Sequence, residues 1–120
     1  MSDVQELLNK ARSLGVALAG HPRVRAHYEA QRAVRADPEA QKLLQDYQAQ
    51  LNHIRRLEAA RKPIEVADKR KLRDLEARMA GHEALKTLMR TQADQVEIMA
   101  QVNRAIEEPL TALAQPEKPA

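Results

Sequence analysis

Four histidines, His21, His27, His53 and His82, are the side chains in this 120-residue chain best suited to acid–base or metal chemistry. An imidazole titrates near neutral pH and ligates metals through its unprotonated nitrogen. Their spacing argues against both uses. His21 and His27 are six residues apart, so one helical face does not align them as a step of four would, and no HExxH run is present. His21 and His82 each follow a glycine and are better placed to bond free backbone groups near a helix start than to catalyse. The carboxylates are dispersed among cations, as with Glu58 beside Arg61-Lys62 and Asp74 four before Arg78, the pattern of a solvated helical face. Glu107-Glu108 marks either a helix end or a contact with a basic partner. Gly15, Gly20 and Gly81 stand alone, so no glycine-rich phosphate loop or nucleophile elbow can form. With no Cys, a thiolate nucleophile, a cysteine zinc site and a disulfide framework are excluded. No catalytic residue, cofactor or metal is expected, and the chain does not read as an enzyme.

Charge is more informative. From His53 to Arg73 the cations Arg55, Arg56, Arg61, Lys62, Lys69, Arg70, Lys71 and Arg73 outnumber Glu58, Glu65 and Asp68 by five. From Thr91 onward, acids exceed Arg104 and Lys118 by three. Arg55, Arg56, Arg61, Lys62, Arg70 and Lys71 are candidate contacts for phosphate or an acidic protein; the alternative is a solvated basic tip. No aromatic residue lies among them for base stacking, and no helix-turn-helix, zinc-finger or RNP signature is present.

The elements that would carry these residues are helical. Phe and Trp are absent and only two Tyr occur, so the apolar 43% comes mainly from aliphatic side chains, a composition that favours helices over sheets. Val4, Leu7, Ala11, Leu14 and Leu18 form one stripe, with Ser2 and Gln5 spaced as a capping box and a start near Asp3. Gly20-His21-Pro22 predicts a corner with Gly20 left-handed. A second stripe, Val24, Tyr28, Gln31 and Val34, reaches Asp37-Pro38, which marks either a kink in one rod or a turn between two helices. The third, through Ala40, Leu44, Tyr47, Leu51 and Ile54, ends at Lys62-Pro63, the expected hairpin tip. A fourth helix carries Leu72, Leu75 and Met79. A fifth carries the heptad stripe Leu85, Met89, Gln92, Val96, Met99, Asn103, Ile106, Leu110 and Leu113, with Pro109 expected to kink or end it.

At an offset of 61 residues Ala19-Gly20-His21 recurs as Ala80-Gly81-His82, the mark of a duplication or a coincidence in a simple helical sequence. Either way, the expected fold is all-α: an elongated antiparallel helical hairpin or bundle of about five helices, with the Leu44–Ile54 seam against the Leu85–Met99 seam. Residues 1–114 are expected to make one helical domain and 115–120 a flexible tail. A chain this size with a thin core is expected to be oligomeric, leaving Leu88, Ile98 and Val102 beside the last seam, and Ile106 on it, for a partner. The longest apolar run, Val16 to Ala19, is far below the ~20 residues of a membrane span, and no signal-peptide core follows Met1, so no membrane insertion and a cytoplasmic location are expected.

Several stretches carry a resemblance: Ala11-Arg12-Ser13-Leu14-Gly15, the Tyr28 helix leading to Asp37-Pro38-Glu39-Ala40, Leu43-Leu44-Gln45-Asp46-Tyr47, and Val96 through Val102-Asn103-Arg104-Ala105-Ile106. Across Val4 to Leu113 the chain resembles the YlbF/YmcA family of small helical bacterial regulators. The resemblance implies a non-enzymatic cytoplasmic protein that assembles with itself or with paralogous helical regulators. Better-known members act on the endoribonuclease RNase Y and influence biofilm formation, competence and sporulation. Some members of that complex carry cysteines linked to iron–sulfur clusters; with no Cys here, cluster binding does not carry over. The expected function is a regulatory adaptor acting by helix-mediated assembly, with RNA binding at the basic tip as the alternative.

Overall fold

The computed structural model describes residues 3–116, and among them it has five α-helices and no strand. They are α1 (Gln5–Ala19), α2 (Pro22–Arg35), α3 (Pro38–Ala59), α4 (Val66–Gly81) and α5 (Glu83–Ala114). The all-α fold and the break points are those expected. The Ser2 half of the expected capping box and residues 117–120 of the expected tail lie outside the described residues. Helix α1 starts at Gln5, and the Gln5 amide donates to Asn9 Oδ1 at 3.2 Å, along the helix and not back to its start.

Each corner is made by local chemistry. Gly20 ends α1 in the right-handed region, φ −86°, and not in the expected left-handed one. The turn is made instead by His21, whose extended backbone suits a residue before proline; its Nδ1 accepts the Arg23 N–H at 3.2 Å. Asp37 likewise precedes a proline, is extended, and caps α3 by accepting the Ala40 N–H at 3.1 Å. Kink or turn is thereby decided: α2 and α3 are two helices. At the tip, the Arg61 N–H bonds Glu58 O at 3.0 Å and the Lys62 N–H bonds Leu57 O at 2.9 Å. With φ 54° at Arg61, this is a Schellman closure built on an arginine. Helix α5 does not end at Pro109 but continues to Ala114.

The helix pairing differs from the expected seam. Helix α3 lies on α4 and α2 on α5; α3 meets only the start of α5. Length explains this. Helix α4, with 16 residues, spans about 24 Å and covers most of the ~33 Å of the 22-residue α3. Helix α5 therefore begins where α3 begins, and only α2 remains beside it. The two corners fall in register, and His82 Nε2 lies 3.3 Å from Asp37 Oδ2 across them. Beside this clasp sits the main core, Val34, Ala40, Leu43, Leu75 and Leu85, with Leu44, Tyr47, Met79 and Leu88 packed around it. Toward the tip, the buried Gln50 donates to Asp68 O at 3.0 Å, and His53 Nε2 meets Asp68 Oδ1 at 3.2 Å.

The outcome is a long, thin molecule of 65 × 37 × 29 Å. Its radius of gyration is 21.5 Å, where a compact domain of this length has about 14 Å.

Candidate functional site

Helix α5 presents two neighbouring rows of side chains, and the structure divides them differently from the sequence expectation. Ile98, expected to be open to a partner, is only 9% exposed between α2 and α5, and Leu88 packs against the core. Val102 is half-buried, and Ile106 is exposed. Of the Leu85–Met99 seam expected inside, Leu85 is buried and Met99 half-buried, but Met89 is 59% and Val96 64% exposed; farther along the same stripe Leu110 is 58% and Leu113 83% exposed.

The reason is size and satisfied polarity. Helix α2 packs on α5, and Ala30 of α2 and Thr91 of α5, both small, are almost fully buried. The Thr91 hydroxyl donates within its own helix, with Thr87 O at 2.9 Å and Leu88 O at 3.1 Å, so burial leaves it paired. A search for apolar periodicity passes over such a threonine and selects the wrong row.

At the level of Ile98, the neighbouring Gln95 and Met99 share a groove with Val24, which is buried near the N-terminal end of α2. Beyond that level α5 runs on from Ala100 to Ala114 without helix α2 beside it, and none of these residues is buried. Helix α1 is similar: none of its residues is buried, and Leu18 alone is half-covered. Leu7, Leu8, Leu14 and Val16 are exposed. A groove lined by Leu18, Val24, Tyr28, Gln95 and Met99 opens where the end of α1 meets α2 and α5. These two faces, on α1 and on the end of α5, carry Leu7, Leu8, Leu14, Val16, Ile106, Leu110 and Leu113 among the exposed large apolar side chains of the described residues. The sequence expectation named Ile106 as open to a partner but not Leu110 and Leu113, which continue the same stripe past the Leu85–Met99 stretch.

The second feature is the tip. Arg55, Arg56, Arg61, Lys62, Arg70 and Lys71 are all exposed on the ends of α3 and α4 and the loop between them. Among the described residues none of them forms an ion pair within 4 Å, and Asp74 does not close on Arg78 either. Glu107 and Glu108 lie at the opposite end of the molecule, on the far part of α5.

The histidines are spread out. His21 caps a helix, His53 and His82 meet carboxylates, and His27 is buried, hydrogen bonded to the Gln31 amide at 3.2 Å and edge-on to Tyr28. His82 corrects the expectation of a backbone partner, since its ring reaches Asp37 instead. Among the described residues no three His, Asp or Glu side chains converge as a metal site, and no helix is long and apolar enough to cross a membrane.

Elongated paired helices with uncovered apolar faces at one end and a basic tip at the other define a class of all-α bundle proteins. The chain belongs to the YlbF/YmcA family: the family model described as control of competence regulator ComK, YlbF/YmcA, matches residues 7–111. A search of curated proteins finds no match.

Proposed function

We propose that this chain is a non-catalytic regulatory adaptor of the cytoplasm that works by helix-on-helix docking, with a paralogous helical regulator or an endoribonuclease as its partner. The observation that carries this reading is the open apolar face on the last four turns of α5, at Ile106, Leu110 and Leu113. Burying one Leu or Ile there supplies about 1.5–3 kcal/mol, so a few residues decide whether a complex forms. Membership of a family described by control of a competence regulator supports the regulatory part. The test is affinity purification from the native cell with mass spectrometry, comparing the wild type with Ile106→Glu. A helical paralogue or a ribonuclease that co-purifies with the wild type and is lost with the variant is expected. Equal recovery with both proteins would sink the reading.

One observation favours a second reading, nucleic-acid binding at the tip: a left-handed backbone position that suits glycine is given to a cation, Arg61, amid five other unpaired cations. Phosphate contacts make affinity fall steeply with salt. Filter binding of RNA at two salt concentrations tests this, and absence of binding at low salt removes it.

A further inference from the structure

The basic tip holds cations with no aromatic ring among them; on the other side of the Asp37–His82 clasp, the chain sets a ring between cations. Tyr28 is 53% exposed on α2, and Arg25 and Arg32, three residues before it and four after, share its helical face. All three line the groove where the end of α1 meets α2 and α5. Arg25, Glu29 and Arg32 are the charged residues of that lining, so two cations stand against one acid. Among the described residues neither guanidinium makes an ion pair within 4 Å, with Glu29 or with any other carboxylate.

The groove has a volume of about 540 Å³, within the ~300–1,000 Å³ of small-molecule sites. Leu18, Val24 and Met99 make much of its wall apolar. Gln95 adds an amide whose oxygen is buried without a hydrogen-bond partner. A buried acceptor left unpaired costs free energy until a donor reaches it, and rotation of this flexible side chain brings the amide to a donor inside the groove.

We propose that the groove binds single-stranded nucleic acid, with one base stacked on Tyr28, its edge at the Gln95 amide, and the phosphates on either side of it held by Arg25 and Arg32. Each part of the lining has a counterpart in a nucleotide. A base offers a flat face to the ring and N–H donors along its edge, and a guanidinium pairs with phosphate through two parallel hydrogen bonds. The placing of the cations selects a strand over a free nucleotide. Along α2 the two arginines lie about 10 Å apart on opposite sides of the ring; a nucleotide within a strand has a phosphate on each side, whereas a free monophosphate has one. A duplex does not fit, because its bases are stacked on one another and do not reach a side-chain ring. The site is separate from the docking face on α5 and from the tip, and it stands or falls without them.

The experiment is fluorescence anisotropy of a labelled six-nucleotide oligoadenylate RNA with the full-length chain. Tyr28→Ala is expected to weaken binding about five- to hundredfold, the range of base–aromatic stacking, and Tyr28→Phe to retain most of it. Gln95→Met, which keeps the length of the side chain without the amide, is expected to weaken binding about two- to tenfold. Arg25→Gln and Arg32→Gln should each weaken binding and lower the slope of log affinity against log salt by about 0.7. Both arginines are exposed, so helicity by circular dichroism should be unchanged. Paired substitution of the tip, Arg61→Gln with Lys62→Gln, should leave binding of the hexamer as it was. Binding that is lost with the tip variant and untouched by Tyr28→Ala would overturn the groove and return nucleic acid to the tip. Tyr28→Phe as weak as Tyr28→Ala would rule out stacking, and AMP held as tightly as the hexamer would rule out the strand. No binding of the hexamer at low salt would overturn the proposal and leave the adaptor reading untouched.

Discussion

Arg61 is the only described residue with a left-handed backbone. A side chain in that region brings Cβ against a carbonyl oxygen, and glycine relieves this at the expense of a more flexible unfolded chain. Arg61→Gly should therefore raise stability by roughly 0.5–1 kcal/mol; a thermal melt that shifts downward would contradict the strain. Asp37 has two tasks, capping Ala40 with Oδ1 and meeting His82 with Oδ2. Asp37→Ala loses both and should destabilise by about 1–2 kcal/mol. Asp37→Asn keeps the cap, so the difference between the two variants in a urea titration measures the cap apart from the charge at the clasp. If Asn destabilises as much as Ala, the contact with His82 outweighs the cap.

At the scale of elements, the corner where α2, α3, α4 and α5 converge holds the bundle together. Leu85, at 2% exposure, is its most deeply buried large side chain. Leu85→Ala leaves a cavity between helices that have little else to hold them, and should cost about 2–5 kcal/mol in chemical denaturation. A loss below 1 kcal/mol would mean that the helices collapse around the gap. The two pairs of helices depend on this corner unequally. Helices α3 and α4 are also tied toward the tip by Gln50 and His53 on Asp68, whereas α2 and α5 have no such tie among the described residues. Hydrogen exchange in Leu85→Ala should therefore rise more in α2 than in α3.

At the scale of the whole molecule, the apolar faces and the basic tip should respond oppositely to salt. Apolar docking is not screened, whereas phosphate contacts are displaced by counterions. Raising salt from about 50 to 200 mM should leave recovery of a partner docked on α5 unchanged while weakening any polyanion held at the tip by orders of magnitude. An assembly that dissolves over the same range would place its contacts on charge instead.

The residues that start and stop each element are local in their action, and for that reason the sequence by itself determined them. Proline at positions 22 and 38, the side chains of His21 and Asp37, and the break at Lys62-Pro63 work within a turn or two of chain. The absence of chemistry-bearing motifs, the basic tip and the family pattern were legible for the same reason. The tertiary structure alone decided which helix lies on which, and which of two adjacent rows of α5 turns inward. Pairing follows from the lengths of α3 and α4 and the meeting of two corners 45 residues apart in sequence, at Asp37 and His82. The inward row follows from the fit of Thr91 against the helix that carries Ala30. Periodicity gives the direction of a stripe around one helix; whether a second helix can come close enough to cover it depends on shapes that meet only in the folded chain.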